Sequence, residues 1–314
     1  MWVGCAADER ISTKYSLKPF IPWLQTERPI VWKRHFGRET SLDVEIGFGY
    51  GGFLVHLAKK YTDRDFVGIE LKWTSVRKAL RTIAQAEVTN VRLIHANARV
   101  AFDRLFRPQS LHRIYALFPD PWPKKRHTKH RLFSRAFLRL LNSRLVSGGE
   151  ALMITDHQPY VNWVLEQVPG TGFEFRCKGT PPRFGTKYEH KWHEGGQKEF
   201  YELTLTKAQH VEIPLKEDIA LETHYVDHFD PDHFQPTDER GDTATEFKEF
   251  LYDPKRRKGM VRLIVAEENL TQHIWIEIGQ DRGRWHIGPA KGCGVIPTAG
   301  VQRALDLVHN AACQ

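Results

Sequence analysis

The feature that most constrains the fold is an alternation of strand-like and helix-like segments between residues 42 and 207. Five short runs rich in apolar and β-branched residues lie at 42–46, 66–71, 91–96, 112–118 and 150–155. Segments with apolar residues at helical spacing follow or separate these runs. Strands that alternate with helices form βαβ units, so the sequence predicts an α/β domain with a mostly parallel sheet. Alternating apolar and polar residues at 200–206 predict an antiparallel strand late in that sheet.

The pattern changes after Lys207. Residues 227–245 hold few aliphatic side chains, so we expect a linker that extends to about residue 258. Further runs predict a three-stranded antiparallel meander and a closing helix, at 260–266, 272–278, 284–287 and 301–312. The predicted organisation is therefore an N-terminal arm at 1–40, an α/β domain at 41–208 and a small α+β appendage at 209–314.

The charges divide the chain at the same place. Residues 1–208 carry 34 Lys and Arg against 20 Asp and Glu, whereas residues 209–314 carry 12 against 18. A basic first part is typical of proteins with a polyanionic partner, but charge alone leaves simple solubility equally open. We expect the acidic appendage to serve packing, self-association into a homo-oligomer or a protein contact. Truncation after Lys207 is then expected to leave ligand binding by the α/β domain intact.

Several classes of protein are excluded by what the sequence lacks. No stretch reaches the roughly 18–20 uncharged apolar residues of a membrane span, and the N-terminus lacks the apolar core of a secretory signal. Cys177, Cys293 and Cys313 are far apart and form no CxxC pair, so neither a disulfide framework nor a zinc site is predicted. We therefore expect a cytoplasmic protein with no membrane segment and no bound metal.

A glycine-rich motif, EIGFGYG at 45–51, lies between a predicted strand and a predicted helix. Glycines such as Gly47 and Gly49 let the backbone approach a ligand and turn tightly into a helix. Glu70 closes the next strand, 21 residues after Gly49, where an acid accepts hydrogen bonds from ribose hydroxyls in doubly wound nucleotide sites. Together they predict an adenosine-containing ligand, but leave NAD and S-adenosylmethionine both open.

A third motif follows the fourth predicted strand. Two prolines flank Asp120 and stiffen the loop that carries its carboxylate, and Trp122 offers an apolar face on which a base can stack. The eight residues from Lys124 to Arg131 contain five Lys or Arg and two His. Because this run lies at the carboxyl end of a strand, where doubly wound sheets bind ligands, we interpret it as a phosphate-binding segment rather than a solvated face.

With these motifs in this order, the chain resembles the bacterial-type tRNA (guanine-N7)-methyltransferases, with a C-terminal extension. The resemblance covers about residues 30–207 and rests on EIGFGYG, GIE, FPDPWPKKRHTKHR, TDHQPY and TKYE, at 45–51, 68–70, 118–131, 155–160 and 186–189. It implies a class I S-adenosylmethionine-dependent methyltransferase (Rossmann-like) sheet. It also implies S-adenosyl-L-methionine as cofactor, tRNA as partner, and methyl transfer to N7 of a guanosine in the tRNA variable loop.

The resemblance also implies roles for individual residues. Cofactor contacts fall on Glu45, Gly47, Gly49, Glu70, Asn97 and Asp120, and Asp120 is also the catalytic residue. Substrate contacts fall on Lys124, Asp156, Thr186, Lys187, Tyr188 and Glu189. Contacts to RNA fall on Lys125, Arg126, His127, Lys129, His130 and Arg131. Asn97 stands where the family usually has Asp, but its side-chain carbonyl can still accept a hydrogen bond from the adenine amino group.

The chemistry of guanine N7 limits what such an enzyme must do. N7 carries a lone pair and no proton at neutral pH, so alignment and electrostatics replace a general base. Asp120 is expected to favour the positive charge that the ring gains, and Asp156 to orient the guanine edge; a helix N-cap is the alternative for Asp156. The alternative functions are methylation of another RNA base, or RNA binding without catalysis on the same fold.

Overall fold

The computed structural model describes residues 15–181 and 200–314. The chain divides into two compact units, which we call the N-terminal unit (Met1–Pro22 and Pro29–Leu215) and the C-terminal unit (Trp23–Arg28 and Lys216–Gln314). Each unit has its own sheet and its own buried apolar core. Nowhere in the described ranges is there a helix both long enough and apolar enough to cross a membrane.

The N-terminal unit is built on a sheet of seven strands. They are β1 (Leu42–Ile46), β2 (Asp65–Glu70), β3 (Val91–His95), β4 (Leu111–Leu117), β5 (Leu145–Thr155), β6 (Phe173–Thr180) and β7 (Phe200–Lys207). Their order across the sheet is β3-β2-β1-β4-β5-β7-β6. The first five run parallel, whereas β7 is antiparallel to both β5 and β6. The predicted class I, Rossmann-like α/β sheet with a late antiparallel strand is thus confirmed.

Helices between the strands cover the sheet. Those described are α1 (Trp32–Phe36), α2 (Gly52–Lys60), α3 (Trp73–Ala86), α4 (Ala98–Arg104), α5 (Arg135–Arg144) and α6 (Gln158–Gln167). Helix α3 buries Val76, Ala79, Leu80 and Ile83, the residues at helical spacing in the sequence. Helix α5 begins where Ser134 accepts a hydrogen bond from the backbone N–H of Phe137. That cap satisfies one of the free donors of the first turn and fixes where the helix starts.

Strand β1 is the point from which the sheet extends in both directions. All five of its residues are buried, because β2 pairs with one of its edges and β4 with the other. The chain therefore proceeds from β1 outward to β3, and then returns to place β4 on the opposite side. In doubly wound sheets this reversal of strand order leaves a crevice at the carboxyl ends of the two central strands, where ligands bind.

The C-terminal unit is an antiparallel sheet covered by one helix. Its strands are β8 (His224–Val226), β9 (Thr243–Asp253), β10 (Lys258–Glu267), β11 (Leu270–Asp281) and β12 (Arg284–Pro289), in the order β8-β12-β11-β10-β9. Helix α7 (Ala299–Ala312) packs its apolar side into the same core as the inward residues of the strands. The predicted meander, β10-β11-β12, and the closing helix are confirmed.

Strand β9 corrects the prediction of a linker to about residue 258. It is an edge strand with one face turned away from the core, so charged residues interrupt its apolar ones. In addition, Arg262 pairs with Glu249 and Leu263 pairs with Phe247, which leaves Lys248 as a bulge. A bulge shifts the alternation of apolar residues by one position, and this conceals the strand from analysis of period-two patterns.

Residues 209–214 pack within the N-terminal unit. The guanidinium of Arg144 is fully buried and donates hydrogen bonds to the carbonyl oxygens of Phe102, Ile213 and Pro214. The amide of Asn142 donates to the carbonyl of Gln209 and accepts from the N–H of Val211. A buried guanidinium without acceptors is unfavourable, so this segment supplies partners that the unit requires.

We therefore expect a fragment of residues 1–207 to be less stable than a fragment of residues 1–215. The shorter fragment leaves Arg144 without two of its carbonyl acceptors and Asn142 without both of its partners, which should lower the free energy of unfolding by about 3 kcal/mol. Urea titrations of the two fragments measure the difference. Equal midpoints would show that residues 209–214 contribute nothing to the stability of this unit.

Candidate active site

The predicted site residues within the described part of the chain gather at one edge of the parallel sheet. The glycine loop follows β1, Glu70 ends β2, Asn97 follows β3, Asp120 follows β4 and Asp156 follows β5. Because parallel strands end at the same edge, the topology brings these side chains to a single face of the unit. The predicted substrate contacts at Thr186, Lys187, Tyr188 and Glu189 lie outside the described residues.

The glycine loop turns sharply from β1 into α2. Gly47, Gly49 and Gly51 have φ angles of 73°, 55° and 78°, in the left-handed region. At Gly51 a side chain is excluded for a second reason, since a β-carbon there would lie 2.9 Å from the β-carbon of Ala79 in α3. The loop therefore brings the N-terminus of α2 against α3. Gly51 was not among the predicted contacts, although its place in the same motif marks it.

Glu70 joins this loop to the start of α3. One of its carboxylate oxygens accepts a hydrogen bond from the N–H of Gly49 at 3.1 Å. The other oxygen accepts from the N–H groups of Leu71 and Lys72 at 2.9 and 3.0 Å. A carboxylate has about four acceptor positions, so Glu70 keeps capacity for one further donor, such as a ribose hydroxyl.

Glu45 is buried in β1 behind the loop, 3% exposed. Its Oε2 atom has no hydrogen-bond partner among the described residues, whereas the carboxylate does accept a bond from the backbone of Leu54. Burial raises the pKa of Glu45 to about 8, with the negative charge of Glu70 acting in the same direction and the bond from Leu54 opposing both. At neutral pH this carboxyl is therefore mostly protonated, and it holds an unused acceptor close to the loop.

Asn97 differs in detail from its predicted role. It caps α4, where its Oδ1 atom accepts a hydrogen bond from the N–H of Arg99 at 2.9 Å. The carbonyl oxygen expected to receive the adenine amino group thus already has one donor, although an amide oxygen has two lone pairs. The side chain itself is exposed and can reach a ligand.

An exposed apolar wall lies beside Glu70, and the sequence analysis did not identify it. Leu71 is 65% exposed and Trp73 is 40% exposed, although both are large apolar residues. The ring of Trp73 packs edge-on against His95 at 5.6 Å and against Phe20 at 5.1 Å. Nε2 of His95 makes a hydrogen bond to the carbonyl of Leu71 at 2.9 Å. Apolar residues immediately after a strand-ending acid were the signal available in the sequence.

The loop that carries Asp120 has an unusual backbone. Phe118 and Trp122, on either side of Asp120, have φ angles of 53° and 43°, which bulky residues rarely adopt. The N–H of Phe118 donates to the carbonyl of Ile154 at 2.7 Å, and its ring packs on Phe200. The side chain of Asp120 is exposed and makes no hydrogen bond to the described residues. The loop thus holds a solvent-facing carboxylate at the crevice.

Asp156 is not the N-cap of α6. The cap is His157, whose Nδ1 atom accepts a hydrogen bond from the N–H of Tyr160 at 3.1 Å. The capping alternative for Asp156 is therefore wrong, because the helix begins one residue later than that alternative required. Asp156 is half-buried, and no described residue hydrogen-bonds its carboxylate, so its oxygens remain available to a substrate.

The basic run forms a short 3-10 helix at Lys125–His130. Lys124, Lys125, Arg126, Lys129 and His130 are exposed, and none pairs with a carboxylate in residues 15–181 or 200–314. The rings of His127 and His130 lie 5.7 and 5.2 Å from that of Trp122. This surface carries an excess of positive charge next to an aromatic ring, which suits a nucleic-acid backbone and its bases.

Arg131 departs from its predicted contact with RNA. It ends the same run but is buried, with 6% of its surface exposed. Its Nε and Nη2 atoms donate to the carbonyls of Pro121 and Trp122, so these two donors are turned toward the protein backbone. No sequence pattern marks this difference, because the burial of one cation among several depends on what packs over it.

Comparison with known proteins finds similarity to methyltransferases. A family model described as "Putative methyltransferase" matches residues 39–202. A tRNA (guanine-N(7)-)-methyltransferase of Chlorobium phaeobacteroides is 45% identical over 172 residues, which are 55% of this chain and 84% of that protein. Two proteins of the same name match beyond this region. The protein of Thermus thermophilus is 36% identical, and the match covers 86% of this chain and 88% of that protein. The protein of Deinococcus radiodurans is 34% identical, and the match covers 84% of this chain and 87% of that protein.

The buried Glu45 predicts a pH-dependent affinity for a cationic cofactor such as the expected S-adenosylmethionine. Without ligand the pKa of Glu45 is about 8, so the carboxyl is mostly protonated near pH 7. A bound cation favours the ionised carboxylate, and Glu45 should therefore release a proton when the cofactor binds at this pH. The affinity should therefore rise as the pH approaches 8 and level off above it. Calorimetric titrations in two buffers of different ionisation enthalpy measure the proton release.

Glu45→Gln is the matched control for this experiment. The variant keeps the shape of the side chain but removes its titration, while the amino group of the ligand titrates in both proteins. We expect the proton release of the wild type to exceed that of Glu45→Gln near pH 7. Equal proton release in the two proteins would show that Glu45 does not ionise on binding.

Proposed function

The chain belongs to the family of tRNA (guanine-N7-)-methyltransferases, and on that basis we propose that the site at the carboxyl edge of its sheet methylates N7 of a guanosine in the tRNA variable loop. The protein is an S-adenosylmethionine-dependent enzyme, and its macromolecular substrate is tRNA. The observation that carries the proposal is the exposed carboxylate of Asp120 in a stiff loop, directly followed by an exposed cationic helical turn. The carboxylate suits a guanine ring that becomes positively charged, and the cationic turn suits the phosphates of the RNA that carries this guanine.

The residues around the glycine loop fit the cofactor. We propose that Glu45, with its unused Oε2 acceptor, and Glu70, with its remaining acceptor position, receive the hydrogen-bond donors of the amino acid and ribose parts. The exposed side chains of Leu71 and Trp73 offer apolar contact to the adenine, and Asn97 offers a polar group at its rim. When bound, S-adenosylmethionine supplies a methyl group on a positively charged sulfur.

The enzyme residues need only align the guanine with the methyl group and stabilise the charge that develops on the ring. The N7 lone pair forms a bond to the methyl carbon as the bond from carbon to sulfur breaks, so the positive charge passes from sulfur to the guanine ring and no proton moves. We assign to Asp120 the role of favouring that charge at the ring. Asp156, whose carboxylate has no described partner, is assigned to accept N1–H or N2–H and so to fix which edge of the base faces the methyl group.

The location and the assembly of the protein are also proposals. A cytoplasmic location accords with a tRNA substrate, and self-association or a protein contact through the C-terminal unit accords with its excess of acidic residues. The choice of the variable-loop guanosine and the substrate contacts at 186–189 are likewise assigned by resemblance to the family.

Site mapping on tRNA tests the function directly. Transcribed tRNA is incubated with the protein and S-adenosylmethionine, then treated with borohydride and aniline, which cleave the chain at 7-methylguanosine. We expect a single cleavage in the variable loop. Methylation elsewhere would favour the alternative of another RNA base, and tRNA binding without methyl transfer would favour the non-catalytic alternative.

In the same assay Asp120→Ala is expected to reduce the rate at saturating tRNA and cofactor by about 100-fold, since a fixed charge that stabilises the transition state is removed. Because the Asp120 side chain is exposed and unpartnered among the described residues, the variant should keep its fold, which circular dichroism checks. A rate near that of the wild type would show that Asp120 is not catalytic.

The exposed cations of the basic run are expected to set the salt dependence of tRNA binding. In a variant with Lys125, Arg126 and Lys129 changed to Gln, the slope of log affinity against log salt should fall by about one for each phosphate that the protein no longer neutralises. The matched control changes Lys255, Arg256 and Arg282, three exposed cations of the acidic C-terminal unit. If the control lowers the slope and the first variant does not, the phosphate-binding surface is not the basic run.

A further inference from the structure

Arg131 is buried although most of the cations that precede it are exposed, and its guanidinium makes its hydrogen bonds to the protein backbone. Its Nε donates to the carbonyl of Pro121 at 2.9 Å, and Nη2 lies 3.4 Å from the carbonyl of Trp122. These two residues directly follow Asp120 in the chain. The guanidinium therefore holds the loop at the point where it leaves the catalytic carboxylate.

The same guanidinium lies over two aromatic rings of helix α6. Its central carbon lies 5.4 Å from the ring centre of Tyr160 and 5.1 Å from that of Trp163. Tyr160 is fully buried in the first turn of α6, four residues after Asp156. A guanidinium can donate in its plane and contact rings with its faces at the same time, so Arg131 connects the Asp120 loop to the helix that follows Asp156.

A second arginine extends this connection to α4. Arg99 lies two residues after Asn97, and its Nη2 donates to the carbonyls of Arg131 and Leu132, each at 3.0 Å. Its Nη1 donates to the hydroxyl of Ser134 at 3.2 Å. Arg99 thus fixes the backbone of the residue whose side chain holds the loop. The elements carrying Asn97, Asp120 and Asp156 are joined through two guanidinium groups.

The loop requires such support because its backbone is strained. Phe118 and Trp122 have positive φ angles, and each such residue costs about 1–3 kcal/mol unless its surroundings impose the conformation. The contacts of Phe118 to Ile154 and Phe200 secure the start of the loop. At the other end the backbone carbonyls are held by the side chain of Arg131. Without this residue the direction of the Asp120 carboxylate would depend mainly on two prolines.

We propose that Arg131 is a positioning residue for methyl transfer, which fixes the Asp120 loop against the helix after Asp156, and is not a contact to RNA. The inference rests on the proposed function, since it presumes that the two aspartates act on one guanine. A misplacement of about 1 Å at a reacting centre can lower a rate by about 100-fold, so loss of the support of this loop should slow methyl transfer.

The test compares Arg131→Met with Arg126→Met, and uses Arg139→Met, an exposed arginine of α5, as the control for the substitution itself. Single-turnover rates are measured at saturating tRNA and S-adenosylmethionine, at a temperature where each variant is fully folded. We expect Arg131→Met to lower this rate by about 100-fold while the salt slope of tRNA binding stays at the wild-type value. Arg126→Met should flatten the slope by about one unit, and Arg139→Met should change neither quantity.

Arg131→Lys separates positioning from charge. A lysine keeps the positive charge but lacks the planar fork that donates to two carbonyls while it lies over aromatic rings, so the rate should remain low. A wild-type rate in Arg131→Lys would overturn the proposal. So would a flattened salt slope with an unchanged saturated rate in Arg131→Met, because this is the signature of a phosphate contact.

A second variant keeps the test decisive if Arg131→Met fails to fold. Trp163 is half-buried, and Trp163→Leu removes one of the two ring contacts while it leaves both carbonyl contacts in place. We expect the rate to fall by about 10-fold with an unchanged salt slope; an unchanged rate would contradict the proposal. Wild-type protein in the same assay tests the function separately, since an absence of N7 methylation there would refute the activity and not the role of Arg131.

Discussion

The structure depends on the burial of β1 between β2 and β4. Both edges of β1 are hydrogen-bonded to a neighbouring strand and all five of its residues are buried, so the position of its carboxyl end is fixed. Gly68 on the neighbouring strand shows how tight this region is, since a β-carbon there would lie 2.5 Å from the ring of Phe48. The loops that carry Glu70, Asn97, Asp120 and Asp156 all leave the same sheet at the same edge, and their relative positions follow from that of β1.

Three buried ionisable residues of this unit, Glu45, Arg131 and Arg144, are accommodated in two different ways. Glu45 avoids the cost of burial by retaining a proton, since burial raises its pKa to about 8. Arg131 and Arg144 instead donate hydrogen bonds to backbone carbonyls. Carbonyl acceptors belong to particular loops, so each buried arginine fixes a segment of backbone: the loop after Asp120 in one case and residues 213–214 in the other.

The two units differ in charge and in the way they are stabilised. The N-terminal unit has a central parallel sheet covered by helices and presents an exposed cationic turn at the carboxyl edge of that sheet. The C-terminal unit is an antiparallel sheet with α7 packed into its core, and it has an excess of acidic residues. A unit with an excess of acidic residues repels a phosphate backbone on average, whereas a basic unit attracts one.

The sequence by itself determined what depends on local pattern. The alternation of apolar runs specified the parallel sheet, and the order of its motifs placed Glu45, Glu70, Asp120 and Asp156 in or just after the carboxyl-terminal parts of β1, β2, β4 and β5. What it left undecided depends on contacts between distant segments. The bulge at Lys248 hides β9 because it is defined by a partner strand, and the cap of α6 at His157 follows from where the helix packs. Arg131 looks like its neighbours in sequence, but the aromatic side chains of α6 and the loop after Asp120 pack against it and bury it. Burial is a property of the whole fold, and a pattern of residue types specifies it only where one periodic face meets one core.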